Sequence, residues 1–481
     1  MRIISSHYLK CVASLWAVVL LLASGVSAET GPSSAGGSSV FKNSKSKTDS
    51  EALKTLVELE FKAISYMETS QVDANSQQQF QMNLTLKKQG TFFTETNLII
   101  GSFSEPNSVY YAFPQAYMGY GKEEANVVAG RKKENLSVAD SVFNLGLVQS
   151  SFTNDNINFA ESGLTGISTT YNSGNMGFIA GYMPIFIPNQ GPQVKVEDGK
   201  AVSSNRWAAT PPSTFVTGTE SKNINYAIRD YKLIDIISNS GFLLNAHYGQ
   251  NKLRPVANLS FSRKPINDIA FSRDTYQDIA TAEGFVYLTP VVLTHDIQAL
   301  DINLDYENIN TTLSYIADQP QNVKAKNSEV IQTLNPLNII SFYASLDLAE
   351  VLRRKMKVYT AMAIISGGEI RDLTAEGKES AVSVSGSRTL FKKPLKLGVS
   401  GEAFYIYNNS VETDMSFTYD QELKGSLLSL AVKYSALKNI KISMGADIIG
   451  TENELATGQQ DHFLNQHKAD DRFFAGLSYV F

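Results

Sequence analysis

Few side chains in this sequence suit acid–base or metal chemistry, and their spacing argues against most of it. Beyond residue 28 the histidines are His247, His295, His462 and His467. His295 has an acid beside it, Asp296, as a general base with an orienting carboxylate requires. On a strand, however, successive side chains point to opposite faces and cannot share a site. The dipeptide therefore reads better as a turn, where Asp bonds its own backbone. His462 and His467 share one polar segment, where weak metal binding competes with plain solvation. The serines are too numerous to single out a nucleophile, and the chain has no nucleophile elbow, phosphate-binding loop or zinc signature. No catalytic residue, metal site or cofactor is expected.

A second set of residues could act through charge alone. Arg131, Lys132 and Lys133 run together before Glu134, Arg206 stands beside Trp207, and Asp301 and Asp305 are four apart. Lining a common passage, such side chains would set a field for a passing solute, as rings of charge do in channels. Both signs are present, so no ion preference is read from them.

The elements that must position these groups are strands. Leu53, Val57, Leu59, Phe61, Ala63 and Met67 alternate with Lys54, Glu58, Glu60, Lys62 and Glu68. Phe80, Met82, Leu84 and Leu86 interleave with Gln79, Gln81, Asn83, Thr85 and Lys87. The same two-fold pattern returns in Leu300, Ile302, Leu304 and Tyr306 against Asp301, Asn303 and Asp305. Near the C-terminus Ile440, Ile442, Met444, Ala446 and Ile448 alternate with Lys441, Ser443 and Asp447. Many of these segments reach the roughly 9–11 residues that a tilted membrane-spanning strand needs.

The N-terminus carries Arg2 and Lys10, an apolar run over 12–23, and the small residues Val26-Ser27-Ala28. This predicts a signal peptide over 1–28 with cleavage after Ala28. Removal would take away Cys11, the only cysteine, and two basic residues, leaving 40 Lys plus Arg against 47 Asp plus Glu. A thiol-free secreted chain has no disulfide staples and must cohere by backbone pairing and burial. Its mild acidity gives no footprint for nucleic acid. No later apolar run reaches about 18 residues, so helical spans are excluded while spanning strands are not. Residues 29–50, rich in Ser, Gly and Lys, read as a flexible periplasmic leader, and 51–481 as one barrel domain.

Short connectors at 87–90, 172–175, 307–308 and 435–439 fit tight hairpins. Longer polar connectors at 131–162, 188–223, 265–283, 318–335 and 451–470 fit loops at the opposite end. At the C-terminus Phe473, Ala475, Leu477, Tyr479 and Phe481 alternate with Arg472, Gly476, Ser478 and Val480, and the sequence stops on the aromatic. This resembles the closing strand of Gram-negative outer-membrane β-barrel proteins of porin-like layout. The resemblance implies that Phe473, Leu477, Tyr479 and Phe481 signal to the barrel-assembly machinery, and that the protein sits in outer-membrane lipid. Expected is an all-β, single antiparallel transmembrane barrel with short periplasmic turns and long extracellular loops. At about 25 residues per strand the 453 residues after Ala28 give 16–18 strands. Counting alternating segments alone gives 20–22, some of them loop hairpins.

A barrel of this size is too wide for its own wall side chains to fill. Segment 131–162 carries Phe143, Leu145, Leu147 and Phe152 amid polar residues, and two placements fit it. It either folds inward and narrows the lumen, or leaves its basic run on the outer rim with 142–152 as a further strand. Segment 184–212 holds Pro184, Pro188, Pro192, Pro211 and Pro212 around Arg206 and Trp207, and reads as a stiff loop. The leading functional expectation is a porin-like channel for small hydrophilic solutes, possible as a homo-oligomer. The alternative is a non-conducting scaffold or surface-binding barrel acting through its outer loops.

Overall fold

The computed structural model describes residues 53–68, 75–104, 108–153, 156–191, 194–208, 210–217, 219–249, 256–278, 283–325, 329–379, 386–451 and 462–481. The expected signal peptide and leader lie outside them. Eighteen strands close into one antiparallel barrel. In chain order they are β1 (Lys54–Tyr66), β2 (Ser76–Lys88), β3 (Phe92–Phe103), β4 (Ser108–Gly121), β5 (Ala125–Lys132), β6 (Leu164–Ser173), β7 (Met176–Ile185), β8 (Gly241–Tyr248) and β9 (Ala257–Pro265). They continue with β10 (Thr294–Tyr306), β11 (Ile309–Gln321), β12 (Leu337–Asp347), β13 (Met356–Gly367), β14 (Pro394–Ile406), β15 (Asn409–Asp420), β16 (Gly425–Leu437), β17 (Ile440–Thr451) and β18 (Arg472–Val480).

Closure comes from β18 pairing with β1, in register from Glu58↔Val480 to Tyr66↔Arg472. The Phe481 N–H then donates to the Val57 carbonyl at 2.9 Å, so pairing runs to the last residue. Closing the sheet leaves no free edge, which a strand protein in lipid requires. Phe473, Leu477, Tyr479 and Phe481 all point outward and are exposed, with the Tyr479 and Phe481 rings edge to face at 4.6 Å.

Alternation fixes which face is which. On β10, His295, Ile297, Ala299, Asp301 and Asn303 are buried inward, while Leu300, Ile302, Leu304 and Tyr306 are exposed outward. An exposed apolar exterior over a largely polar interior is the pattern of a wall facing lipid. Among the described residues no helix is long and apolar enough to cross a membrane.

The strand count falls within 16–18. Higher counts arise because, among the described residues, eleven further strands belong to the connectors. Seven of them, from the loops over 186–240, 266–293, 322–336 and 368–393, form one sheet beyond the barrel rim, with a single parallel pairing between Glu220–Ile228 and Gly284–Val291. A buried ion pair between Arg273 and Asp372 ties two of these loops together. The tight connectors at 89–91, 122–124, 174–175, 307–308, 407–408 and 438–439 gather at the opposite end, with the start of β1 and the end of β18.

Several boundaries differ from the sequence reading. Arg131 and Lys132 belong to β5, Pro184 to β7 and 318–321 to β11, so strands extend further into polar sequence than hydropathy suggests. The ladder continues there because its hydrogen bonds are backbone bonds, indifferent to side-chain polarity. The sequence reading has no long connector at 368–393, where the structure places one between β13 and β14. The His295-Asp296 dipeptide is no turn: it lies at the start of β10, its side chains on opposite faces.

Candidate functional site

The connector over 133–163 turns into the barrel, and its local sequence explains how. Helix α1 (Val138–Phe143) opens on Ser137, whose side chain accepts from the Ala139 N–H, and closes on Asn144 in the left-handed conformation that Asn tolerates. Leu136, Ala139, Phe143, Leu145, Leu147 and Val148 then present one apolar surface. This surface packs on inward-facing Leu243 of β8, Ile297 and Ala299 of β10, Ile316 of β11, Leu337 and Ile339 of β12, and Ala361, Ala363 and Ile365 of β13. Burial of side chains as large as Phe143 and Leu147 contributes roughly 1.5–3 kcal/mol each. The connector is thus held in the barrel by a core of its own.

Polar groups of the wall fix its register. Asp301 takes the start of α1, its Oδ1 accepting from Ser137 Oγ and its Oδ2 from the Val138 N–H, each at 3.0 Å. A carboxylate at the positive end of a helix gains from the aligned peptide dipoles as well as from the bonds. Asn258 Nδ2 and Ser260 Oγ both donate to the Leu136 carbonyl at 3.0 Å. Asn267 Nδ2 donates to the Gly146 and Gln149 carbonyls at 2.7 and 2.9 Å, and Gln149 Nε2 to the Glu134 carbonyl at 2.7 Å. Asp140 closes the segment on itself, accepting from the N–H groups of Leu147 and Val148 at 3.2 and 3.3 Å. Burial lifts the Asp140 carboxyl to about 6, against the pull of those two N–H groups.

A chain of buried ionisable groups runs from this connector to another. Lys264 Nζ donates to the Pro265 carbonyl at 2.7 Å, Asn267 Oδ1 at 2.8 Å and the Leu147 carbonyl at 3.4 Å, and stands 3.4 Å from His295 Nε2. His295 Nδ1 lies 2.9 Å from Asp318 Oδ1, and Arg388 Nη2 donates to Asp318 Oδ2 at 2.5 Å. A proton on Nδ1 lets the imidazole donate to Asp318 and accept from Lys264. His295 therefore has an orienting acid after all, from the neighbouring strand. With Lys264 on its other nitrogen, it serves as a joint between wall and loops. Asp296, on the outer face, pairs instead with Arg263 at 2.5 and 2.6 Å.

The six charged residues singled out in the sequence are not brought together. Arg131 holds the root of the inserted connector, donating to the Gly163 carbonyl at 3.0 Å and to Ser150 Oγ at 3.2 Å. Lys132 pairs with Glu134 at 2.7 Å, and the Lys133 N–H donates to Gln115 Oε1 at 3.2 Å. Asp301 is buried under α1, whereas Asp305, two pleat repeats further along the same inward face, is exposed.

Arg206 is buried in a second cluster. Its Nε lies 2.8 Å from Asp470 Oδ1, its Nη2 donates to the Glu68 carbonyl at 3.1 Å, and its guanidinium stacks 3.8 Å from the Tyr66 ring centre. Trp207 sits beside it among Ile64, Tyr66, Phe391, Ile449 and Phe463. His467, expected to be solvated, is buried here as well, bonded to Asp470 at 2.7 Å and packed on the Trp207 ring at 4.8 Å. Burial follows because Trp207 needs a cover and the loop carrying His467 supplies it. Among the described residues no group of three or more His, Cys, Asp or Glu side chains is placed to hold a metal ion.

No family model matches the chain, and no curated protein matches it in sequence. Solved structures similar to it are Gram-negative outer-membrane porins. OccK5 (OpdH) of Pseudomonas aeruginosa is 12% identical, over 89% of this chain and 97% of that one, with a TM-score of 0.45. OccAB2 of Acinetobacter baumannii is 9% identical, over 89% and 98%, with a TM-score of 0.45. Salmonella typhi OmpF is 11% identical, over 90% and 98%, with a TM-score of 0.41.

Proposed function

We propose that this chain is an outer-membrane channel for passive or selective diffusion of small hydrophilic solutes, its lumen narrowed by the inserted connector over 133–163. The observation that carries this reading is the seating of α1: Asp301 caps it from the wall, and apolar inward positions on β8 to β13 match its apolar face. A wall prepared in this way favours a permanent partial filling over an empty lumen or an outer rim loop. In this reading Arg131, Lys132 and Lys133 shape the constriction by fixing the connector's root. Asp305 faces the solute path, and Arg206 and Asp301 act by holding loops in place. The outward residues Phe473, Leu477, Tyr479 and Phe481 on β18 are proposed as the signal read by the barrel-assembly machinery, with outer-membrane lipid as the exterior partner and self-association as an option of the exposed wall.

One observation favours the scaffold reading instead. Four outer loops join into a continuous seven-stranded sheet, a rigid surface suited to holding a partner. Single-channel recording of the purified protein in planar bilayers separates the two. Stable stepwise openings are expected for the channel, and folded, inserted protein without conductance would overturn it in favour of the scaffold.

A further inference from the structure

Outside the apolar sector, β2 carries an amide at every inward position from Gln77 to Asn83: Gln77, Gln79, Gln81 and Asn83. Two residues per step along a strand make this strip roughly 20 Å long. Its members are joined lengthwise. Gln79 Nε2 donates to Gln81 Oε1 at 3.2 Å, and Gln81 Nε2 to Asn83 Oδ1 at 2.8 Å. Tyr110 of β4 braces the strip, its hydroxyl accepting from Gln79 Nε2 at 2.6 Å and donating to Gln81 Oε1 at 2.9 Å. The buried Tyr110 ring is itself held by Phe103 and by Phe152 of the inserted connector, with centres 5.4 and 5.3 Å away, so the brace is fixed in place. These bonds do not use Gln79 Oε1 or the hydrogens of Asn83 Nδ2, and both are available to a guest.

The charges beside the strip are largely balanced. Lys62 and Glu60 of β1 pair at 3.6 Å, and Lys87 and Glu95 at 3.1 Å. Glu58 faces Asn83 across the strand pair, so an anion gains nothing at that end. Amides offer a hydroxyl both a donor and an acceptor, and a neutral solute exchanges its water bonds for theirs without the desolvation cost of an ion. Repeated similar sites also allow entry without trapping, as conduction requires.

We infer that the Gln79–Gln81–Asn83 strip, braced by Tyr110, is a binding track for neutral polyhydroxylated solutes, sugars and polyols. This rests on the channel reading above. The test is liposome swelling with glucose, gluconate and lysine, which are of similar size, alongside KCl conductance of the same full-length preparations. Glucose is expected to enter fastest. In the triple variant Gln79→Ala, Gln81→Ala, Asn83→Ala, the ratio of glucose flux to KCl conductance is expected to fall about five-fold, the scale of one or two lost hydrogen bonds. A ratio unchanged by the triple variant, or glucose no faster than the charged solutes, overturns the track. Absence of any KCl conductance in the parent protein overturns the channel reading instead, so the two failures are distinct. Should the triple variant not fold, the near-isosteric Gln81→Glu replaces it: lysine should then overtake glucose, and an unchanged order overturns the inference.

Discussion

On β10 to β13 the inward positions include Ile297, Ala299, Leu337, Ile339, Ala363 and Ile365, whereas on β1 and β2 the same side of the pleat carries Glu60, Lys62, Gln79, Gln81 and Asn83. Both stretches line the inside of one barrel, and both have apolar residues on the outside. A lumen wall is expected to be polar because water fills it. The apolar stretch departs from this where the inserted connector, and not water, is its neighbour. In the proposed channel, inner-wall polarity therefore reports what each sector faces: a packed segment on one side, the solute path on the other.

The harshest way to break this contrast is to remove what covers the apolar sector. Excision of 138–149 with a short polar link should raise single-channel conductance several-fold, the open area increasing with the loss of a packed helix. It should also uncover a hydrophobic patch that binds an apolar dye. Unchanged conductance would show that the connector does not bound the path.

Point substitutions sharpen the same comparison. Leu337 has no exposed surface and packs under the connector, so Leu337→Ala should cost about 2–5 kcal/mol. Gln81→Ala on the opposite sector should cost under about 1 kcal/mol, since water replaces the amide's partners. Urea unfolding of the two variants, followed by loss of strand signal, measures the difference, and equal costs would dissolve the distinction between sectors.

Two carboxylates on a single strand make the next comparison. Asp301→Ala removes the wall carboxylate at the start of α1 and leaves the Ser137 hydroxyl proton and the Val138 N–H without their acceptors, a loss of about 1–3 kcal/mol in the connector's attachment. Asp305→Ala removes an exposed group and should leave the attachment unchanged. Current records should show flicker in the first variant only, together with faster amide exchange at Val138 and Ala139. If both variants were equally quiet, Asp301 would not be the latch.

The wall was readable because two-fold alternation is a local property, and the inward placement of Asp301 and Asp305 came with it. The inward turn of the connector was readable as one of two options, since Phe143, Leu145 and Leu147 require cover. Helix α1 is absent from the sequence reading, although Ser137-Val138-Ala139-Asp140 ahead of an apolar run is a helix-start pattern. Another missed signal lies in β13, where Ala361, Met362, Ala363, Ile364 and Ile365 are apolar on both faces, as in strands covered on both sides. What the sequence could not supply is the pairing of distant groups. Ser137 and Asp301 stand 164 residues apart, and Asp318 and Arg388 stand 70 apart, so neither bond leaves a local trace.

The smallest expected effect concerns Asp140, which closes the connector on itself beneath the apolar sector. Its carboxyl titrates at about 6, above its ordinary 3.8, because burial disfavours the charged form. Between those values the folded connector holds more proton than the released one, so attachment weakens as pH rises through this window and levels off above 6. Below 3.8 both forms are protonated, and the gain at low pH is complete. Amide exchange at Leu147 and Val148, corrected for its intrinsic pH dependence, should thus show greater protection near about pH 4.5 than near about pH 7. Asp140→Asn keeps an acceptor for only one of the two N–H groups but has no charge to desolvate, so its protection, lower overall, should be flat across the window. A wild-type profile as flat as that of the Asn variant would mean that the carboxylate reaches water when ionised. The seal between connector and wall would then be looser at this point than its contacts with Leu337 and Ile339 require.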